Sequence, residues 1–370
     1  MQGFDRRAVL KLGMAAGVVA VAGFSPSRSH AAVNRIGLDE VCAMTPVQMA
    51  EASGVVMTAW ESLRTAAAEI RNPAIRKAVQ QIQRDPAPTL MGRIGKAEKK
   101  DIYGELHAKG LITVEEAAFL PQVAAGNQAS QPFYSAPGSG YQSHHAYPGG
   151  LATHTALNVR VSKALAEGYA DVFGSYLDND VVLASQLLHD LHKPWVFQWQ
   201  KSGESRSEQA LAGTGEHHPL SVAESIVRGL PAEVCVAQAC AHNHPRTPED
   251  EKQVVGWIQA AAIIAGVDPV RRGLLESDGK TLPLPRRQEG FVCHLGDHDW
   301  VLAVPAAQWL IPIMGTIAER DYGIKKTDPA FNSFRNYVFS QASIMALYET
   351  YAAKGEAELT RVVRSIVIPA

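Results

Sequence analysis

Apolar residues recur at helical spacing through most of the chain. Val55, Met57, Trp60, Leu63, Ala67 and Ile70 form one stripe, which Asn72-Pro73 interrupts. Ala74 to Arg84 fits a second helix, ended by Asp85-Pro86. Between Leu151 and Val270 the pattern predicts helices at about 151–168, 179–193, 219–229, 232–243 and 252–266, and Pro219 at a first helical position would make His218 an N-cap. Strand-like pieces are expected within Phe291 to Val304, around Gly296 and Asp297, followed by helices at 305–320, 330–354 and 356–366. Residues 122–143, rich in Gly, Ser, Ala and Pro, and the polar stretch Lys201 to Gly215 lack a period and read as loops. The expectation is an all-α, mainly helical protein. It has a helical N-terminal subdomain over 36–121, a linker or loop over 122–143, a five-helix core over 144–270 and a mostly helical C-terminal extension over 271–370.

Composition adds little to this picture. With 46% hydrophobic and 19% charged residues, the chain has the make-up of a globular protein. A formal charge of −2 without long Lys/Arg clusters gives no footprint for nucleic acid. The richest basic stretch, Arg93 to Lys109, is diluted by acidic residues and reads as a solvated helix face. Cys42, Cys235, Cys240 and Cys293 form no C-x-x-C pair, so no thiolate zinc site is suggested. Buried free thiols are the preferred reading, with one disulfide open in an oxidising compartment.

The N-terminus changes the picture more. Asp5-Arg6-Arg7-Ala8-Val9-Leu10-Lys11 resembles a twin-arginine export motif, the apolar run Leu12 to Phe24 is too short to span a bilayer comfortably, and Ser29-His30-Ala31 suits signal peptidase. Residues 1–31 are therefore expected to be a signal peptide read by the twin-arginine export machinery. The resemblance implies delivery of a folded protein to the periplasm or beyond, with no membrane span after cleavage.

Chemistry concentrates in the middle. Nine histidines lie between residues 144 and 244: His144, His145, His154, His189, His192, His217, His218, His242 and His244. Most fall at the predicted starts and ends of helices, positions that a bundle can bring to one interior point. The strongest local signal is His189-Asp190. On a helix adjacent side chains diverge by about 100°, so an imidazole and a carboxylate can both reach an ion between them. Imidazole with carboxylate suits zinc, manganese or iron.

Taken in order, His144–His154 (HHAYPGGLATH), His189–Lys193 (HDLHK), Glu216–Glu224 (EHHPLSVAE) and Ala241–Pro245 (AHNHP) resemble the HD superfamily of metal-dependent phosphohydrolases. The resemblance covers residues 140–270 and implies an HD-type five-helix metal-binding core. It implies one or two divalent ions held by His154, His189, Asp190, His218 and His242, with Asp190 able to bridge. Lys193 matches the lysine that meets substrate phosphate, and His145, or its neighbour His144, would line the pocket or supply a proton. The implied partner is a phosphorylated small molecule. His217 reads as a neighbour of the ligands, His244 as outside them, His192 as a residue that narrows the site, and His294 and His298 as a polar turn. Trp195, Phe197 and Trp199 read as core, with base stacking as the alternative.

One departure stands out. The family's last ligand is an aspartate where this chain has Ala262, and neither Gln259 nor Asp268 is placed to replace it. With two imidazoles and one carboxylate left at the first ion, an HD-type iron-dependent oxygenase, or a metal-binding or non-catalytic HD module, stands beside the phosphohydrolase.

Overall fold

The computed structural model describes residues 35–124 and 128–369. The expected signal peptide lies outside the described residues. Residues from Val33 onward form one compact unit, and the fold is all-α.

The N-terminal helices are α1 (Leu38–Ala43), α2 (Pro46–Glu51), α3 (Gly54–Glu69), α4 (Pro73–Arg84) and α5 (Lys96–Ala108). Side chains of Thr45, Ser53 and Asn72 cap α2, α3 and α4, and Pro at the first position of α2 and α4 costs no backbone bond. The histidine-rich segment supplies α6 (Gly150–Phe173), α7 (Asn179–Leu188), the single turn α8 (Lys193–Val196), α9 (His217–Val227), α10 (Ala232–Ala239) and α11 (Pro248–Ala265). Beyond it come α12 (Gln288–Gly296), α13 (Trp300–Tyr322), α14 (Pro329–Ala342) and α15 (Ile344–Ile366). Strands are minimal: Ile36–Gly37 pairs in parallel with Val367–Ile368, tying the two ends together, and Ala210–Leu211 forms a hairpin with Thr214–Gly215.

Two apolar clusters hold these helices. Leu63, Ile82, Leu151, Leu187, Trp195, Leu220 and Ile258 belong to one, built from α3 to α11. Val41, Tyr147, Leu310, Met314, Phe334, Phe339 and Val363 belong to the other, where α13, α14 and α15 meet α1 and α2. Helix α6 is central: α3, α7 and α12 all pack on it.

Several boundaries differ from the sequence expectation. The strand-like pieces at 291–304 are helical: Asp297 N–H donates to the carbonyls of Cys293 and His294 as α12 ends, and α13 has begun by Trp300. In α13 the burial of Ala303, Ala306, Ala307 and Leu310 follows a helical period, not an alternation. Helix α7 stops at Leu188, so His189 and Asp190 lie in the turn after it. Helix α9 starts at His217 after Glu216, which leaves His218 inside the first turn instead of at its cap. The expected break at 355 is present, since Gly355 (φ 77°, ψ −177°) separates two helical stretches within α15, and Ser343 adds a break inside the expected 330–354 helix. The four cysteines are free thiols, three buried and Cys42 exposed. Trp195 and Phe197 are fully buried, as core residues.

Candidate metal centre

Five imidazoles and two carboxylates converge between α6, α7, α9, α10 and α12, in overlapping groups whose donor atoms lie within 4.8 Å of one another. His154 enters from α6, His189 and Asp190 from the turn after α7, His217 and His218 from the first turn of α9, and His242 from the turn after α10. The seventh is Asp297, at the end of α12.

Asp190 sits at the middle and its two oxygens face different ways. Oδ2 is 3.3 Å from His154 Nε2 and 3.1 Å from His189 Nε2, whereas Oδ1 is 3.4 Å from both His217 Nε2 and His242 Nε2. Asp297 completes the first side, with Oδ1 3.0 Å from His154 Nε2 and 3.3 Å from His189 Nε2. This corrects the expectation built on Ala262. That alanine is buried, Gln259 donates to the carbonyl of Gly279, and Asp268 accepts from Arg271 N–H, so none of the three takes the ligand position. Asp297, at the junction of α12 and α13, places a carboxylate beside His154 and His189 instead. The group around these two histidines thus has two carboxylates where the sequence offers one.

The rings are held from behind. His189 Nδ1 bonds the carbonyl of Gln186 at 2.7 Å, His217 Nδ1 bonds Glu208 at 2.5 Å, and His218 Nδ1 bonds Thr214 Oγ1 at 2.7 Å. A partner at Nδ1 fixes the tautomer and leaves Nε2 turned inward, as metal-binding histidines require. Glu208 and Thr214 flank the hairpin that the sequence reads as plain loop, with Ala212 and Gly213 at positive φ in its tight turn. Gly215 leaves room for the Glu208 carboxylate, which a Cβ there would push away from His217. Asn158, one turn beyond His154, donates to Asp297 Oδ1 at 2.7 Å. Gly296 allows α12 to come close enough for this, since a Cβ would overlap Ser162 Oγ.

The electrostatics fit a cation. Burial opposes charge on His154 and His189, yet the surrounding aspartates outweigh it. They raise His154 well above the usual histidine range and His189 to about 9. Burial would raise Asp190 and Asp297, but the neighbouring cationic groups hold both well below the carboxylate range. Protons on the histidines here neutralise the carboxylates. On the other side burial, with mutual repulsion, lowers His218, and burial lowers His242, leaving neutral rings stacked 3.4 Å apart. Asp190 Oδ1 and His217 Nε2 are buried without a hydrogen-bond partner. Two buried lone pairs aimed at one point, one on a carboxylate oxygen and one on an imidazole nitrogen, are what a divalent ion would satisfy.

The remaining predicted residues fall in distinct places. Lys193 Nζ lies 2.5 Å from Asp190 Oδ2 and donates to the carbonyl of Gly138. His145 is buried, with Nε2 2.7 Å from Asp299 and Nδ1 3.2 Å from the Tyr147 hydroxyl. His144 bonds Ser143 and stands edge-on to His154. His192 turns away from the centre, its Nε2 3.5 Å from Glu224 and its ring against Trp195. His244 turns outward to Phe291 and His294, and His298 stands edge-on to His294 beyond them. Phe197 packs its ring on His217. Sequence reasoning missed Asp297, Asn158, Glu208 and Asp299. The segment containing both aspartates, Cys293–Trp300 (CHLGDHDW), carried a visible signal in its density of His and Asp.

Part of the chain is similar to a phosphodiesterase. The dihydroneopterin 2',3'-cyclic phosphate phosphodiesterase of Methanocaldococcus jannaschii is 28% identical over 115 residues, which make up 31% of this chain and 45% of that protein. The chain thus spans less than half the length of that relative. No family model and no solved structure matches the chain.

Proposed function

We propose that this chain is an exported, metal-dependent phosphohydrolase that cleaves a phosphoester of a small molecule. The observation that carries the reading is Asp190, whose oxygens face two separate groups of imidazoles, an arrangement that lets one carboxylate serve two cations. His154, His189, Asp190 and Asp297 would hold one ion, and Asp190, His217, His218 and His242 the other. Iron, manganese and zinc all suit such donors. Bound divalent ions supply Lewis-acid charge to phosphoryl oxygens and make water a nucleophile near neutral pH.

The chain's own residues position and screen. Asn158 fixes Asp297, Glu208 fixes the tautomer of His217, and Thr214 orients the ring of His218. Lys193 sets a buried ammonium at the edge of the centre, where it adds positive charge beside an anionic substrate and ties down the segment at Gly138. Similarity to an enzyme named for a cyclic phosphate supports phosphoester chemistry on a small molecule. Export rests on the twin-arginine-like N-terminus, Asp5 to Lys11.

The test combines metal analysis of the natively produced chain with hydrolysis of a generic phosphodiester such as bis-p-nitrophenyl phosphate. Two equivalents of metal, and activity that Asp190→Ala abolishes while the fold persists, are expected. Activity that survives that substitution, or a chain that takes up no metal, would refute the reading.

A further inference from the structure

We propose that Asp299 is a positioning residue for one of the two metal positions only, and that His145 acts behind it by holding Asp299 in place. The inference rests on the metal reading above and concerns the side of the centre built on His154.

His154 is gripped at both ring nitrogens by carboxylates. Its Nε2 faces Asp297 and Asp190, and its Nδ1 lies 3.1 Å from Asp299 Oδ1. Asp299 Oδ2 is in turn 2.7 Å from His145 Nε2. His145, His154 and Asp299 also form a group able to hold an ion, but the Nε2 side gathers His189, Asp190 and Asp297 together; with the cation there, His154 Nδ1 keeps its proton and donates it in a hydrogen bond to Asp299. A carboxylate behind a ligating imidazole fixes its tautomer and orientation and strengthens it as a donor.

Both ring nitrogens of His145 are engaged inside the protein, Nε2 by Asp299 and Nδ1 by the Tyr147 hydroxyl, which itself contacts Thr153 Oγ1 at 2.9 Å. His145 therefore has no free nitrogen to present to a substrate. The backbone is shaped for this placement. His145 has φ +52°, and its carbonyl accepts from Gly138 N–H and Tyr147 N–H. A Cβ at Gly138 would press on the His145 side chain, and one at Gly150 would overlap its carbonyl. The run from Thr153 through Tyr147, His145 and Asp299 to His154 is thus a rigid buttress on one side of the centre. His217 and His218 have their own supports in Glu208 and Thr214.

The experiment titrates full-length wild type, Asp299→Ala, Asp299→Asn and His145→Phe with Zn²⁺ against a chromogenic chelator, reading stoichiometry and affinity. Circular dichroism and thermal melts of the metal-free proteins accompany it. Wild type should bind two ions. Asp299→Ala should bind one of them about 10–100-fold more weakly and leave the other unchanged. Asp299→Asn, which keeps an acceptor, should recover part of the loss, and His145→Phe should show a smaller loss at the same position. Unchanged affinities in Asp299→Ala, or equal weakening at both positions, would overturn this inference while leaving the metal reading intact. A wild type that binds no zinc would overturn both. If Asp299→Ala fails to fold, the isosteric asparagine and the His145 variant carry the same comparison.

Discussion

Asp297 Oδ1 lies 3.0 Å from His154 Nε2, although His154 belongs to α6, the first helix of the histidine-rich segment, and Asp297 ends α12, beyond that segment. Asp297→Ala is expected to remove one of the two metal equivalents and to cut phosphodiesterase activity by at least about 100-fold, the range for losing a group that organises charge at the reacting centre. Elemental analysis alongside the assay checks it. Full metal content in the variant would show that Asp297 is not a ligand.

His217 and His244 make a matched pair of controls. His217 Nε2 is buried and faces Asp190, whereas His244 faces outward toward Phe291 and His294. His217→Ala should weaken metal binding at the position shared with His218 and His242, and His244→Ala should leave both positions unchanged. Chelator competition on the two proteins distinguishes them, and equal effects would refute the assignment of His217.

Protonation gives a pH signature. In the metal-free protein the pKa of His189 is raised from 6.5 to about 9, burial being outweighed by Asp190 and Asp297. A group with a raised folded pKa contributes stability that is complete below its unfolded value and disappears as pH climbs through the folded one. Metal-free protein should therefore lose thermal stability between about pH 6.5 and 9. Metal-loaded protein should not, because a cation replaces the proton. Melting curves of both forms across this range decide the matter; a flat metal-free profile would contradict it.

Glu224 tests the scaffold apart from the chemistry. It is fully buried and accepts from Thr89 N–H, Leu90 N–H and the Arg228 guanidinium. Burial would raise its pKa, but His192, Thr89 and Leu90 outweigh this and hold it at about 2. Glu224→Ala strands buried donors and a cation, and should cost about 3–5 kcal/mol of stability by urea denaturation. Its metal stoichiometry at low temperature should match wild type.

Arg335 invites the opposite result. It is buried with its guanidinium over the Tyr141 ring at 4.7 Å, and its Nε and Nη1 have no hydrogen-bond partner among the described residues. Nη2 donates to Asn336 Oδ1, so the charge is only partly paired, and replacing such buried charged groups by apolar side chains of similar size is often neutral or stabilising. Arg335→Met should melt at the wild-type temperature or above it. A clear drop in melting temperature would show that the stacking on Tyr141 outweighs the burial cost.

The all-helical character was legible because apolar stripes of helical period are local, and α3, α4 and α11 lie close to where the stripes place them. The proposed ligands His154, His189, Asp190, His218 and His242 were legible as short motifs in order, and the structure brings all five to one place. Asp297 was not, because no local pattern says which distant turn will approach α6. That depends on Gly296 letting α12 sit against Ser162, a packing fact without a sequence period. His145 was legible as a motif residue, but that both its nitrogens are engaged inside the protein shows only in the fold. The hairpin with Glu208 and Thr214 looked like featureless polar chain because its function lies in two side chains aimed at α9.

The contact between Asn158 and Asp297 spans 139 residues of sequence. A growing chain that stops short of α12 has the imidazoles but lacks the second carboxylate, so the centre matures only when most of the protein has been made and has folded. On the proposed metal reading, uptake would be a late event in the life of the molecule. The ion would be supplied where the chain is already folded, and the proposed export route, which accepts folded cargo, would let the choice of metal be made before departure.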